Sequence, residues 1–221
     1  MSQKLFLLAC LLTGSLWAQA SATSTHFVSV PVTADMPSRV SVNFAFTPSP
    51  SGEVEVAYVH QLGSGFDAGV GVHGGLLGIK NYGILGTDLM FRFLSPINEA
   101  VFLGVQAQVG YVFTGIGSVA LSESDANALP ISTGIVIGGV VRDLTRFYFF
   151  PAAEFGQTQN PGDKFWKSGI GLRFTLGTAV SLSDTTYLVI ETRPRIANLV
   201  GSDSALSTFT IDATLALLFD F

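Results

Sequence analysis

Residues 100–122 read AVFLGVQAQVGYVFTGIGSVALS, 23 consecutive positions without a charge. A hydropathy window takes such a run for a membrane-spanning helix. Its parity says otherwise. The odd positions from 101 to 113 are Val101, Leu103, Val105, Ala107, Val109, Tyr111 and Phe113, all apolar. The even positions between them are Phe102, Gly104, Gln106, Gln108, Gly110 and Val112. Only a strand sends alternate side chains to opposite faces, so the stretch is a β-strand with one greasy face. Its β-branched and aromatic content agrees.

Working outward, the same alternation marks ten segments: 39–46, 53–62, 66–77, 84–94, 101–113, 132–141, 147–156, 166–182, 186–195 and 207–221. A tilted strand needs about ten residues to cross an apolar band of ~25 Å. The intervening connections alternate in length. With residue 39 at the inner side, the outer loops are 47–52, 78–83, 114–131, 157–165 and 196–206. The inner turns are 63–65, 95–100, 142–146 and 183–185, with the turn chemistry of Gly63-Ser64-Gly65, Ser95-Pro96 and Ser183-Asp184. Segment 24–36 stays ambiguous because Pro31 and Pro37 weaken a strand there. Eight or twelve strands therefore remain open beside ten.

Composition agrees with this pattern. Of 221 residues 48% are apolar and only 12% charged, against about 25% charged in ordinary soluble domains. The net charge of −5 argues against nucleic acid as a partner. The first twenty residues form an address: Lys4, an apolar run from Leu5 to Leu12, and a small-x-small site at Ala18-Gln19-Ala20. This is the pattern of a secretory signal peptide cleaved after Ala20. Leu7-Leu8-Ala9-Cys10 resembles a lipobox, but cleavage there would leave an apolar region of only about five residues. The expected organisation is a signal peptide over 1–20, an N-terminal periplasmic or lumen segment over 21–38, and one domain over 39–221. Cys10 is the only cysteine, so the mature chain has no disulfide and no thiol chemistry.

The C-terminal stretch alternates most cleanly. Phe209, Ile211, Ala213, Leu215, Leu217, Phe219 and Phe221 occupy every odd position to the end of the chain. Here the sequence resembles the small bacterial outer-membrane β-barrels, OmpA/OmpX-like or porin-like, with no subfamily motif. The resemblance implies an all-β fold, a transmembrane antiparallel up-and-down barrel in the outer membrane. It implies outer-membrane lipid as surroundings. It also implies that the barrel-assembly machinery reads Phe221, Phe219, Leu217, Leu215 and Ala213. By analogy with such barrels, loops 114–131 and 196–206 are where external ligands would be met.

On this reading Val40, Val42, Phe44, Leu89, Phe91, Phe93, Ile170, Leu172, Phe174 and Leu176 face lipid. Aromatic girdles are expected from Phe46, Tyr111, Phe113, Trp166 and Phe209 at the outer rim. Tyr58, Phe66, Phe93, Tyr187, Phe219 and Phe221 would form the inner one. The opposite parity carries Asp88, Arg92, Gln106, Gln108, Arg173, Glu191, Arg193 and Asp212. Lone charges in a narrow lumen are costly, so a paired network around Arg173–Glu191–Arg193–Asp212 is expected. It would either plug the barrel or line a narrow pore. Inward glycines, among them Gly86, Gly104, Gly110, Gly134 and Gly138, would make room for it.

Two other classes compete. An outer-membrane hydrolase or lipid-modifying enzyme needs a catalytic constellation. Of His26, His60 and His73 only His73 looks inward, with Asp67 too far along its strand to couple. Loop residues Asp125, Asp163 and Asp203 bring no histidine. No catalytic, cofactor-binding or metal residue is assigned, and no cofactor is expected. A secreted soluble barrel binding an apolar ligand would turn the apolar parity inward.

Overall fold

The computed structural model describes residues 36–47, 51–77, 82–116, 127–141, 145–159, 167–199 and 208–221. Residues 1–35, with the expected signal peptide and N-terminal segment, lie outside them, as do Trp166 and the loop acids Asp125, Asp163 and Asp203. Alternation becomes ten strands: β1 (Ser38–Thr47), β2 (Ser51–Gly63), β3 (Phe66–Leu77), β4 (Tyr82–Pro96), β5 (Val101–Ile116), β6 (Asn127–Val141), β7 (Thr145–Gln159), β8 (Lys167–Ser183), β9 (Thr186–Leu199) and β10 (Thr208–Asp220). Each pairs antiparallel with its sequence neighbours, and β1 pairs with β10, so the sheet closes into an up-and-down barrel.

The strands overrun the sequence-based bounds at the end away from the termini. β5 continues to Ile116, β6 starts at Asn127, β7 reaches Gln159 and β9 reaches Leu199. Backbone pairing does not need an apolar face, so the ladder continues where alternation has faded. The three longest connections, 117–126, 160–166 and 200–207, all lie at that distal end. The proximal end carries tight turns. Gly65 takes φ 76°, and its carbonyl accepts from the N–H of Leu94 at 2.6 Å. The Asn98 side chain accepts from the N–H groups of Ala100 and Val101, both at 2.9 Å.

Register fixes the barrel's dimensions. From Arg39 the paired residues run Val59, Gly69, Met90, Gln108, Ser132, Glu154, Gly171, Ala197 and Thr208. The partner of Arg39 on β10 is Asp220, twelve residues past Thr208. A stagger of twelve over ten strands implies a tilt of about 40° and a backbone radius of about 10 Å. Long side chains from strands two or three apart can meet within that width, as Arg173 of β8 and Gln108 of β5 do.

The faces separate as polarity requires. Val54, Val56, Val70, Val72, Leu89, Phe91, Phe93, Ile170, Leu172 and Leu176 point outward and are exposed. Glu53, Glu55, Asp67, Asp88, Arg92 and Glu191 point inward and are buried. A soluble barrel holding an apolar ligand needs the reverse. Tyr187 departs from the expected girdle: it shares parity with Val189 and Glu191 and is buried, with the guanidinium groups of Arg146 and Arg39 4.8 and 5.9 Å from its ring centre.

Besides register shifts near strand ends at Gln61/Gly63, Gly83/Ile84 and Ser181/Ser183, three ladders are interrupted in mid-strand, each at a proline. The β5–β6 pairing skips from Val109↔Ile131 to Val112↔Ala128 around Pro130. The β6–β7 pairing skips from Gly134↔Ala152 to Ile137↔Phe149 around Pro151. The β8–β9 pairing skips from Arg173↔Arg195 to Leu176↔Thr192 around Pro194. Each proline is still paired on its other side, with Gly156, Phe174 and Ile211 respectively. A strand residue donates its N–H to one neighbour only, so a proline breaks one seam and spares the other.

Close approach at the β6–β7 seam is testable. A Cβ on Gly134 would lie 2.0 Å from the Pro151 carbonyl oxygen, whereas one on Gly63 would meet nothing within 4 Å. Gly134→Ala is expected to destabilise the refolded barrel by about 1–3 kcal/mol, and Gly63→Ala to leave it unchanged. Urea unfolding in detergent, followed by heat-modifiable mobility on gels, measures both.

Candidate functional site: the charged lumen

Proximally, the interior is apolar. Leu94, Phe102, Val136, Tyr148, Phe150, Val189 and Leu218 form one buried cluster filling the barrel's lower part. Their positions belong to the inward parity that elsewhere carries charge, so parity alone misreads this level as polar. Two ion pairs flank the cluster. Arg39 holds Asp220 through two bonds of 2.5 and 2.7 Å, and Arg92 holds Asp67 at 2.6 and 2.9 Å.

Above this plug lies a polar belt with two unlike walls. On β7–β9, Glu154 bridges two arginines: it bonds Arg195 and lies 3.3 Å from Arg173. Arg173 also donates to Ser132 at 3.2 Å and to Gln108 at 3.3 Å, and stands 5.6 Å from the Phe150 ring centre. Glu191 accepts from Arg193 and from the Tyr148 hydroxyl. On β1–β4, Asn43 donates to Glu55 at 2.5 Å. His73 is bracketed by carboxylates, with Nδ1 3.5 Å from Glu53 and Nε2 3.5 Å from Asp88.

All eight residues expected in the lumen, Asp88, Arg92, Gln106, Gln108, Arg173, Glu191, Arg193 and Asp212, are inward and buried. Arg193 and Glu191 pair, with Asp212 opposite Arg193 in register. Arg173 pairs with Glu154, and Arg92 with Asp67 on the neighbouring strand. His73 couples to Asp88 rather than to Asp67. Eight further residues line this interior beyond those expected: Arg39, Asn43, Glu53, Glu55, Tyr148, Glu154, Arg195 and Asp220. All eight share the inward parity of their strands, which was the available signal.

Glycines shape this interior. A Cβ on Gly86 would lie 2.0 Å from His73 Nε2, and one on Gly110 2.0 Å from an Asp88 oxygen. One on Gly177 would strike the Tyr148 ring at 2.0 Å. His73, Asp88 and Tyr148 therefore each lie over a neighbouring strand's glycine.

No protein-family model matches the chain, and no curated protein matches it in sequence. Among solved structures it is similar to the translocator domain of the autotransporter NalP from Neisseria meningitidis. There the identity is 11%, the TM-score 0.48, and the match covers 100% of this chain and 98% of that one. It is also similar to the KdgM porin, with 6% identity, TM-score 0.37, and 83% and 99% covered. For the NanC porin the values are 9%, 0.40, 82% and 100%. The fold itself rests on the strand pairing above.

Glu154 is the test of the arginine wall. Glu154→Gln is expected to destabilise the barrel by about 3–5 kcal/mol, because Arg173 and Arg195 stay buried without their shared carboxylate. Combining it with Arg195→Met should cost less than the sum of the two single changes. Urea midpoints of the refolded variants measure both.

Proposed function

We propose that the chain is an integral outer-membrane β-barrel whose lumen is closed to solutes. Its role is that of a membrane-held scaffold, with partners met at the long distal connections 117–126 and 200–207. One observation carries this reading: the exterior is apolar and exposed while the interior is filled at successive levels by buried, mutually bonded side chains. In lipid the strand N–H and C=O groups must be satisfied within the protein, and the closed ring supports this by pairing each strand on both sides, the three proline gaps apart. The apolar outer face would meet acyl chains, with the exposed Tyr58, Phe66, Phe93, Phe219 and Phe221 near the proximal interface. In such a cell the signal peptide would export the chain, and the terminal strand through Phe221 would present it for barrel assembly. The proximal end then faces the periplasm and the distal connections face outside.

A second reading, a narrow ion pore, is favoured by the division of the belt. β3 and β8 stand opposite each other in the ten-strand ring. Acids gather around β3 and arginines around β8, as they would across a selective constriction. The apolar cluster beneath is a barrier that such a pore would have to open.

Both readings meet one measurement. Purified protein in planar bilayers is expected to give no resolvable conductance steps, whereas cells extracted with carbonate retain it in the membrane fraction. Reproducible single-channel steps would overturn the sealed barrel in favour of the pore. Release by carbonate would overturn the membrane assignment.

A further inference from the structure

The belt is not electrically balanced. Among the described residues it holds six carboxylates, Glu53, Glu55, Asp88, Glu154, Glu191 and Asp212, against Arg173, Arg193, Arg195 and His73. The arginines bond Glu154 and Glu191 on β7 and β9, and Arg193 also acts electrostatically on Glu55. The other carboxylates, Glu53, Glu55, Asp88 and Asp212, stand on β2, β4 and β10 with His73 on β3 among them. Buried charge at this depth needs a counter-charge.

Three acceptor atoms mark where one could sit. Asn43 and Glu55 are 1% exposed and Thr214 2%. Asn43 Oδ1, Glu55 Oε1 and Thr214 Oγ1 have no hydrogen-bond partner among the described residues. They stand on three consecutive strands of the ring, β10, β1 and β2. Asn43 lies directly opposite Glu55 on one side and Ala216 on the other, and Thr214 is the next inward residue distal to Ala216. With the rise and tilt above, the three side chains start within about 3 Å of one height. The Asn43–Glu55 hydrogen bond uses the other atom of each group, so it orients both remaining oxygens without consuming them.

We propose that Asn43, Glu55 and Thr214 form a binding site for a small monovalent metal cation. The donor set is three hard oxygens: one amide, one carboxylate and one hydroxyl. It carries a single formal charge, matching a single positive charge on the ion. Calcium takes six to eight oxygens, usually with several carboxylates. No group of three His, Cys, Asp or Glu that could hold a metal is found among the described residues. Neighbouring Glu53 and Asp88 deepen the negative potential without being ligands. The bound ion would tie β10, β1 and β2 together across the closing seam.

The test uses the full chain refolded in detergent. Its thermal unfolding midpoint is followed in sodium chloride, potassium chloride and choline chloride at one fixed ionic strength. Sodium or potassium is expected to raise the midpoint over choline by about 2–4 °C, saturating with concentration. Thr214→Val and Glu55→Gln should each abolish this difference while the barrel still shows its heat-modifiable band. Equal midpoints in all three salts would overturn the site, leaving a buried water or a proton on Glu55 as the occupant. So would an undiminished sodium or potassium effect in folded Thr214→Val. If Glu55→Gln fails to fold, Thr214→Val decides alone.

Discussion

Closure of the sheet is the constraint on which everything else depends. A strand cannot leave its backbone groups unpaired at an edge, and here the last partner of the ring is the first strand. The seam joins residues at opposite ends of the chain: Ser38 and Phe221 exchange backbone hydrogen bonds at 3.1 and 2.9 Å, and Arg39 grips Asp220 beside them. The stagger of twelve that permits this joint also sets the tilt and the radius. The radius in turn sets the interior's width, and so which side chains from different walls can touch.

Within that width the interior divides by height. The proximal level is apolar and aromatic, and the belt above it is ionic. The division has an energetic logic. Apolar packing is favourable without exact partners, whereas a buried ion pair gains stability only if its geometry is good and its remaining atoms are bonded. The arginine wall approaches that condition by sharing. Glu154 serves two arginines, and Glu191 serves Arg193 and Tyr148. Where glycine faces a long side chain, as Gly86 faces His73, volume is surrendered on one strand so that charge can be housed from the next.

Much of this fold was written in parity. The run at 101–113 and the C-terminal stretch 209–221 distinguish strand from helix, and the count of such runs gives ten strands. The same rule placed Arg173, Glu191 and Arg193 on the inside. It could not say which carboxylate each arginine would find, because partnership depends on register between strands, and register is a property of the closed ring. Arg173 finding Glu154 is such a case. Tyr187 shows a different limit: an aromatic near a strand end resembles a girdle residue until its parity is weighed. The apolar plug shows a third, since Leu94, Phe102 and Leu218 are inward residues chosen for packing, which leaves no polar trace in the sequence.

The three prolines give the wall an uneven stiffness. Pro130, Pro151 and Pro194 interrupt the seams β5–β6, β6–β7 and β8–β9 in mid-strand, while the ladders that join β9, β10, β1, β2, β3 and β4 carry no proline gap and only one register shift, at Gln61/Gly63 beside the β2–β3 turn. A uniform tube resists squeezing equally from all sides. This one is a rigid arc hinged to a compliant one. Lateral pressure would meet fewer ladder bonds on the interrupted arc, which carries the arginines, than on the continuous one, which carries Glu53, Glu55 and Asp88.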